Sequence, residues 1–306
     1  MNRPGMSVVI PSWNGRALLE EHLPSVLEAA AGLAEVIVAD DGSSDDTAES
    51  IPRRFPLVRV VRRQRNGGFA PTANDGVAAA GGELVILLNN DVAVPAGTFE
   101  RLAAALVADP RIFAAVPSII RSGTGDDEAL TRIRFRSGVV STMTGGDPNA
   151  DPAFACGGAM AFRRSEFLAL GGFDPLFAPF YWEDVDLSYR ARKRGRRIVR
   201  AAGARVDHDH SRTIGTQIDR QRVLRIYERN RLLFTWKNIT DPALWRRHVS
   251  LLPLKLTWDL AAHPAFVRGF RDALALRPAV AVARRREQTE ATIDDRELLT
   301  RWPQAC

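Results

Sequence analysis

The chain has 306 residues, 45% of them hydrophobic and 25% charged, and this composition excludes a largely disordered protein. Its two cysteines, Cys156 and Cys306, exclude a disulfide framework and a zinc site of closely spaced cysteines, and they favour a reducing, cytoplasmic compartment. We expect no signal peptide and no transmembrane helix, because the first residues are not hydrophobic and no run of about 18 apolar residues occurs.

Charge is distributed unevenly along the chain, although the net charge is only +6. Residues 1–185 contain 16 Lys+Arg and 23 Asp+Glu, whereas residues 186–306 contain 26 and 13. A strongly basic C-terminal part favours an anionic partner, such as a membrane surface, a nucleic acid or a phosphate-bearing substrate. The alternative is that the arginines only cover solvent-exposed faces.

Apolar residues alternate between strand and helix spacing from residue 6 to residue 117. Strands are predicted over residues 6–11, 35–39, 57–61, 83–88 and 113–117, and helices over residues 17–31, 45–54, 72–80 and 96–108. Alternating elements with short connections predict an α/β fold, in which helices cover both faces of a mostly parallel sheet.

Three of the predicted strands are followed by polar clusters, at residues 11–14, 40–43 and 89–91. Ligands of parallel sheets bind beyond the carboxyl ends of the strands, so these clusters predict one common site. Asp91 follows the most apolar strand and is a candidate oxygen ligand for Mg²⁺ or Mn²⁺. The structural alternatives are a β-turn at Asp91 and a helix N-cap at Asp40.

The second half of the chain has a less regular pattern. Residues 121–153 are rich in Gly, Ser, Thr and Asp, and we expect a loop or a mobile lid there. Helices are predicted over residues 166–170 and 184–194, and a strand over residues 197–206. From residue 217 onward the pattern predicts basic helices that are rich in Trp, Phe and Leu.

Two further groups carry candidate chemistry. Glu183 and Asp184 follow a cluster of aromatic residues and begin a helix, so a carboxylate there could have a raised pKa and act as a general base. Alternatively, these acids cap the positive end of the helix, which lowers a carboxyl pKa. His208 and His210 follow a predicted strand as candidate metal ligands, although an ordinary surface or core histidine is the simpler interpretation.

The absence of Walker A, GxGxxG and GxSxG motifs argues against P-loop, nicotinamide and serine-hydrolase sites.

Taken in chain order, these motifs resemble the family 2 glycosyltransferases with the GT-A fold, over about residues 6–236. The matching segments are VVIPSWNG at 8–15, VADDGSSDDT at 38–47, NGGF at 66–69 with Asn74, LLNND at 87–91, GGFD at 171–174, EDVDL at 183–187 and His208. The likeness is to the rhamnosyltransferase-like and galactofuranosyltransferase-like branch. It implies a GT-A (Rossmann-like) domain at residues 1–216, with a nucleotide-sugar half at 1–120 and an acceptor half at 121–216. A basic helical extension would occupy residues 217–306.

The resemblance also implies roles on the acceptor side of the site. Asp184 matches the general base that deprotonates the acceptor hydroxyl, and Glu183 would assist it. Trp182 would stack on an acceptor sugar, and Gly157 and Gly158 would line the acceptor site.

On the donor side, the resemblance implies that Asp91 and His208 hold a divalent metal, Mn²⁺ or Mg²⁺, on the donor diphosphate. The expected nucleotide-sugar-binding residues are Pro11, Trp13, Asn14, Asp40, Asp41, Asn66, Gly67, Asn74, Asn89 and Asn90. At Asn89 the chain departs from the DxD motif of the family, because an amide stands in place of the first carboxylate. Its carbonyl oxygen can still coordinate a cation, but less strongly than a carboxylate does.

The implied function is the transfer of a sugar from a UDP- or dTDP-sugar to a hydroxyl of a glycan or lipid-linked acceptor in cell-surface polysaccharide synthesis. Inversion is expected, because one base suffices for in-line attack and no second nucleophile is found. A nucleotidyltransferase is disfavoured, since no Lys follows the first strand in PSWNGR. The alternative from another class is a non-catalytic carbohydrate-binding or scaffold protein on a degenerate fold. Asn89 permits that alternative, whereas Asp91, Asp184 and His208 argue against it.

The basic C-terminal helices suggest where the protein acts. No recognised nucleic-acid motif is present, so no nucleic-acid partner is expected. Arg and Trp on amphipathic helices fit docking on an anionic bilayer, which predicts a cytoplasmic protein held on the inner face of the cell membrane. Closure of the acceptor side and a homodimer contact are the alternatives for these helices, and the sequence leaves them open.

Overall fold

The computed structural model describes residues 5–147, 150–209 and 219–301. Within these ranges the strands are β1 Met6–Ser12, β2 Ala34–Asp40, β3 Val58–Arg62, β4 Leu84–Leu88, β5 Val92–Ala93, β6 Ile112–Arg121, β7 Thr131–Arg136, β8 Val139–Thr144, β9 Ala159–Arg163 and β10 Arg197–His208. The helices are α1 Arg16–Ala30, α2 Thr47–Arg54, α3 Phe69–Ala79, α4 Thr98–Val107, α5 Arg164–Ala169, α6 Glu183–Lys193, α7 Arg220–Asn238, α8 Pro242–Ala262, α9 Pro264–Ala275, α10 Arg277–Glu290 and α11 Asp295–Thr300.

Eight of the described strands form one sheet in the order β3-β2-β1-β4-β9-β6-β10-β5. The pairs β1–β2, β2–β3, β1–β4 and β6–β10 are parallel, whereas β9 runs antiparallel to both of its neighbours and β5 is antiparallel to β10. Strands β1 and β4 are buried at every position, because helices pack on both faces of the sheet. The predicted α/β fold with a mostly parallel sheet is therefore confirmed.

The prediction of a loop or lid over residues 121–153 is wrong in its centre, where β7 and β8 form an antiparallel hairpin. Thr131 and Ile133 are buried on one face of β7, while the arginines between and after them lie on the other face. The turn consists of Ser137 and Gly138, which have φ angles of 51° and 81°. A two-residue turn with two positive φ angles matches the twist of a hairpin.

A second apolar cluster joins this hairpin to the C-terminal helices. It includes Ile133 and Val140 of the hairpin, Trp182 before α6, and Phe234 of α7, and it is separate from the main sheet core. Segments before and after the predicted boundary at residues 216/217 thus share one core. The boundary itself lies outside the described residues, and the domain limits stay a prediction.

None of the described helices is both long enough and apolar enough to cross a membrane. In α8, for example, Lys255 and Asp259 interrupt the apolar residues.

Candidate active site

The carboxyl ends of β1, β2 and β4 meet in one polar floor, as the three polar clusters predicted. Asn90 Nδ2 donates a hydrogen bond to Ser12 Oγ at 2.9 Å, which joins the end of β4 to the end of β1. The backbone N–H of Asp41 donates to the carbonyl of Ser12 at 2.9 Å and so joins β1 to β2. Pro11, one residue before Ser12, is buried in β1.

Asp40 ends β2 and is fully buried. Its Oδ2 accepts a hydrogen bond from the backbone N–H of Ser43 at 3.3 Å, and Arg62 Nε lies 3.7 Å from the same oxygen. Its Oδ1 is buried without a hydrogen-bond partner among the described residues. A buried carboxylate oxygen that lacks a donor is unfavourable, so Oδ1 is suited to accept a hydrogen bond from a ligand.

Asn14 ties the loop after β1 to the loop after β2. Its Oδ1 accepts from the backbone N–H of Ser44 at 2.9 Å, and its own backbone N–H donates to Ser43 Oγ at 2.8 Å. Its φ of 49° lies in the left-handed region, which asparagine tolerates better than most residues. The preceding Trp13 is 42% exposed, so a large aromatic ring stands open beside the polar floor.

Asp41 shapes a neighbouring loop. Its two carboxylate oxygens accept hydrogen bonds of 2.8 Å from the backbone N–H groups of Gly67 and Gly68. Arg63 Nε lies 3.1 Å from the same carboxylate. Because both carboxylate oxygens of Asp41 accept these hydrogen bonds, Asp41 fixes the loop in which Asn66 is exposed. The loop, and not Asp41, would contact a bound nucleotide sugar.

Asn74 has a structural role that the sequence did not indicate. Its Nδ2 donates to the carbonyl of Phe173 at 2.8 Å, and its Oδ1 accepts from the backbone N–H of the same residue at 2.9 Å. Its amide thus joins α3 to the turn at residues 171–174, and binding of the nucleotide sugar by Asn74 stays a prediction.

On the opposite side of the floor, Asp91 and His208 are in direct contact. Asp91 Oδ1 lies 3.1 Å from His208 Nε2, and the side-chain amide nitrogen of Asn89 lies 3.4 Å from the same ring nitrogen. Glu128 Oε2 lies 2.9 Å from the other ring nitrogen, Nδ1. Burial disfavours the charged imidazolium of His208, but the hydrogen bonds and charges of Asp91 and Glu128 outweigh burial and raise the pKa of His208 to about 9.

These side chains fit a divalent cation. Ligand atoms placed at right angles, about 2.1 Å from one cation, lie about 3 Å apart, as Asp91 Oδ1 and His208 Nε2 do. Asn89 would be a third protein ligand once its side-chain amide is turned over, since its nitrogen and not its oxygen faces His208 in this structure. No cluster of three His, Cys, Asp or Glu ligands occurs in the described part of the chain, so water and ligand oxygens would complete the shell. His210, the other candidate histidine, lies outside the described residues.

Gly157 and Gly158 lie between this cluster and Asp184. The backbone N–H of Gly157 donates to Asp184 Oδ2 at 2.9 Å. A Cβ atom placed on Gly158 would lie 3.3 Å from His208 Cε1 and 3.5 Å from Asn89 Nδ2. The buried Gly157–Gly158 backbone therefore contacts a carboxylate on one side and a cation-binding group on the other, with no side chain of its own between them.

Glu183 and Asp184 both have a raised pKa, which answers the question that the sequence left open. Burial is the main cause for each carboxyl group, and the adjacent charge of Asp184 raises the pKa of Glu183 further. The backbone N–H groups of Gly157 and Val185 bind Asp184 and oppose part of the effect on its pKa. At this helix end, burial thus outweighs the hydrogen bonds that backbone N–H groups donate to the carboxylates.

The segment before α6 has a constrained backbone. Tyr181 and Trp182 have φ angles of 72° and 79°, in the left-handed region. Asn230 Nδ2, from α7, donates to the carbonyls of Phe177, Phe180 and Tyr181 at 2.6, 3.0 and 2.8 Å. A residue of the C-terminal helices therefore holds the segment that presents Glu183 and Asp184, as the alternative in which these helices close the acceptor side requires.

The aromatic residues of this segment are placed differently from the expectation. Trp182 is only 2% exposed and packs against Phe234 and Tyr227, so it offers no open ring face for a sugar. Tyr181 is 38% exposed, and its ring lies 5.9 Å from that of Tyr227. The exposed aromatic side chain is therefore Tyr181, one position before the predicted Trp182, because the left-handed turn directs Trp182 into the core.

Asp186, in the first turn of α6, has a structural role. The side chain is fully buried, and it binds Arg190, Lys237 and Asn238. These contacts connect α6 to α7.

Comparisons with known proteins place the chain in a family. Residues 7–170 match the model of glycosyl transferase family 2. An N-acetylglucosaminyl-diphospho-decaprenol L-rhamnosyltransferase of Mycobacterium tuberculosis is 28% identical over 240 residues, which cover 69% of this chain and 78% of that protein. The uncharacterized glycosyltransferase EpsJ of Bacillus subtilis is 31% identical over 102 residues, which cover 32% of this chain and only 29% of EpsJ.

A solved structure has the same fold. The crystal structure of GalNAc-T7 with UDP, GalNAc and Mn²⁺ superposes with a TM-score of 0.65 at 19% sequence identity. The superposition covers 86% of this chain and 58% of that chain. At this level of identity the likeness supports the fold alone.

Proposed function

Because this chain belongs to glycosyl transferase family 2 and is a glycosyltransferase, we propose that it moves a sugar, with inversion, from a UDP- or dTDP-sugar to a hydroxyl group of a glycan or lipid-linked acceptor. The observation that carries the proposal is the Gly157–Gly158 backbone, which contacts Asp184 on one side and the cluster of Asn89, Asp91 and His208 on the other. A base and a diphosphate-binding group must face each other in this way for in-line displacement.

The nucleotide would bind on the polar floor. Asp40 Oδ1 is an unpartnered acceptor for a base N–H, and Trp13 offers an exposed ring beside it. The loop that Asp41 holds would cover the nucleotide from the other side. The solved structure of GalNAc-T7 contains UDP, which is consistent with a uridine-type donor here.

Asn89, Asp91 and His208 would hold Mn²⁺ or Mg²⁺, which when bound neutralises the charge of the departing diphosphate. The GalNAc-T7 structure was solved with Mn²⁺, which supports this assignment. The protein residues contribute the orientation of these ligands, since Glu128 fixes the ring of His208 through Nδ1.

Asp184 would take the proton of the acceptor hydroxyl as that oxygen attacks the anomeric carbon. The bond to the diphosphate breaks on the opposite face of the sugar, so a single displacement inverts the anomeric centre. A raised pKa makes the Asp184 carboxylate a stronger base than an ordinary aspartate. Two backbone N–H groups, of Gly157 and Val185, keep its oxygens in place.

The acceptor would bind near the exposed ring of Tyr181, in place of the predicted Trp182. The Mycobacterium tuberculosis relative is named as an L-rhamnosyltransferase of N-acetylglucosaminyl-diphospho-decaprenol, which favours a lipid-linked acceptor and a deoxyhexose donor. Such an acceptor would fit a role in cell-surface polysaccharide synthesis, on the cytoplasmic side of a membrane.

A donor screen tests the proposal. Release of nucleoside diphosphate would be measured with a panel of UDP-, dTDP- and GDP-sugars in the presence of Mn²⁺. We expect release from a UDP- or dTDP-sugar, and a fall in turnover of about 10²–10⁴-fold in Asp184→Asn, because the proton acceptor is lost.

The matched control is Asp207→Asn, since Asp207 lies one residue before His208 but pairs with the exposed Arg205. Asp207→Asn should leave turnover within about twofold of the wild type. The proposal would be contradicted if no donor released nucleoside diphosphate, or if turnover were unchanged in Asp184→Asn. A non-catalytic scaffold protein would release no nucleoside diphosphate from any donor.

A further inference from the structure

Helix α8 exposes several large apolar side chains to solvent. Trp258 is 76% exposed, Leu260 68%, Leu254 66% and Val249 52%. Four such residues within twelve positions of one helix are unfavourable in water unless another surface covers them. This segment is therefore a candidate interaction surface.

The exposed side of this segment carries no charge. Between residues 249 and 260, the exposed positions are Val249, Ser250, Pro253, Leu254, Thr257, Trp258 and Leu260, which together are called the α8 face. The two charged residues of the segment, Lys255 and Asp259, are less exposed and pair with each other at 2.8 Å.

The surroundings of the α8 face are strongly basic. Residues 242–286 contain nine Lys+Arg and two Asp+Glu. The two acids are Asp259, paired with Lys255, and Asp272, paired with Arg225. Arg246 and Arg247 are exposed on the turn that precedes the α8 face. Arg286 pairs with Glu290, but no described acid forms an ion pair with Arg246 or Arg247, so the apolar surface is bordered by un-neutralised positive charge on this side.

We propose that the α8 face docks on the surface of a bilayer that contains anionic lipids. A bilayer offers both an apolar interior for Leu254 and Leu260 and negative headgroups for Arg246 and Arg247. Trp258 suits the boundary between these two layers, because its ring is amphipathic. The helix would lie in the plane of the membrane, since no described helix can span it.

A second copy of the chain and a nucleic acid are less suitable partners for the α8 face than a bilayer. A second copy of the chain would bring the same basic surface against this one, and like charges facing each other are unfavourable. A nucleic acid supplies negative charge, but its backbone gives no apolar cover for Val249, Leu254 and Leu260.

The location of α8 links docking to the acceptor side. His248 donates from Nδ1 to the carbonyl of Gly138, at the tip of the β7–β8 hairpin, at 2.6 Å. The hairpin and Trp182 share the second apolar cluster, so the bilayer would lie next to the hairpin side of the site. The position of the bilayer relative to the site rests on the proposed function, whereas membrane docking itself depends only on the surface of α8.

Vesicle flotation tests the inference. The full chain would be floated with vesicles of phosphatidylcholine alone and with vesicles of equal parts phosphatidylcholine and phosphatidylglycerol, at low and at high salt. We expect binding to the anionic vesicles only, and weaker binding at high salt. Leu254→Ser combined with Trp258→Ser should reduce the partition coefficient at least tenfold, and Arg246→Gln combined with Arg247→Gln should reduce it severalfold.

The matched control is Leu57→Ser combined with Val107→Ser, because Leu57 and Val107 are 82% and 52% exposed but lie in the N-terminal half. The control should bind like the wild type, and donor turnover in solution should be the same in all variants. Absence of wild-type binding at low salt, or equal losses in control and α8 variants, would overturn the inference. Conversion of a dimer to a monomer by the α8 variants, with vesicle binding unchanged, would overturn it in favour of a self-interface. Vesicle binding without turnover of any donor would instead contradict only the proposed function.

Discussion

Glu183 and Asp184 are neighbours in sequence, but their carboxyl groups have different surroundings. Asp184 accepts hydrogen bonds from two backbone N–H groups, which favour its ionised form. Glu183 Oε2 has no hydrogen-bond partner among the described residues, and its pKa is raised well above that of an ordinary glutamate. This difference favours Asp184 as the base, because the ionised form of Glu183 is the less stabilised of the two.

The raised pKa of Glu183 predicts a pH-dependent stability cost. The unfolded chain ionises this group first, so the wild type loses stability as pH rises from about 4.5 toward the folded pKa. Glu183→Gln should remove that cost and increase the free energy of unfolding at pH 7, with no gain near pH 4. Denaturant unfolding at both pH values would measure the difference.

Glu28→Gln, on the exposed side of α1, is the control for this prediction and should show no such pH dependence. An equal gain at pH 4 and pH 7 would mean that Gln improves packing and that ionisation of Glu183 is not the cause.

Glu128 acts on the site through His208. Its Oε2 binds Nδ1, and a carboxylate there orients the ring and makes Nε2 a better ligand. Glu128→Ala should weaken Mn²⁺ affinity by about 10–100-fold, and Glu128→Gln by less, because an amide oxygen can still accept from Nδ1. Calorimetric titration with Mn²⁺ would measure the affinity without any turnover.

Asp126→Asn, in the same segment but exposed, should bind Mn²⁺ like the wild type. Unchanged affinity in Glu128→Ala would show that the ring of His208 is held by its packing alone.

Among the larger elements, the start of α3 and the segment before α6 meet at a close backbone contact. The backbone N–H of Phe69 donates to the carbonyl of Pro179 at 2.8 Å. Gly68 has a φ of 88°, and a Cβ atom there would lie 2.5 Å from the same carbonyl oxygen. This contact connects the loop held by Asp41 with the segment that ends at Glu183.

Gly68→Ala should therefore destabilise the protein and disturb both sides of the site. Gly123→Ala is a matched control, because Gly123 has a φ of 89° but a Cβ atom at that position would have no other atom within 4 Å. We expect Gly68→Ala to lower the free energy of unfolding by about 2 kcal/mol more than Gly123→Ala does, with weaker donor binding. Equal losses in the two variants would mean that the positive φ, and not the close approach to Pro179, decides the effect.

The secondary structure was predictable where the pattern is long and apolar. Strand β4, LVILL, follows directly from its residues, as does the alternation of helices up to α4. The β7–β8 hairpin was missed because its strands are short, contain three arginines and lie in a segment rich in Gly and Ser. The alternation of TRIRFR before a Ser-Gly pair was the signal that could have revealed it.

In the molecule as a whole, the C-terminal helices complete the catalytic part of the fold. Asn230 and Lys237 of α7 bind the segment before α6 and Asp186 within it. Buried Lys193 of α6 pairs with Asp295 of α11 at 2.9 Å. The helices after residue 219 therefore pack as part of one core with the acceptor half.

A chain cut after residue 209 should consequently fail to fold, because its half of the second apolar cluster would be exposed. Co-expression of residues 219–301 as a separate chain should restore soluble protein, since the contacts are non-covalent. Soluble yield and thermal unfolding would measure both results. A stable, soluble chain ending at residue 209 would contradict the prediction and show that the extension is an independent appendage.

The sequence by itself determined the α/β sheet, the polar floor at its carboxyl edge and the candidate pair of Asp91 and Asp184. These depend on patterns within a few residues, which physical chemistry relates directly to strands, turns and charge. The family resemblance had already paired Asp91 with His208, 117 residues apart, whose side chains lie 3.1 Å from each other, but only the tertiary structure decided that Glu128 binds His208, 80 residues away. It also decided the burial of Trp182 and the raised pKa values at α6, because burial depends on what the rest of the chain packs against a residue.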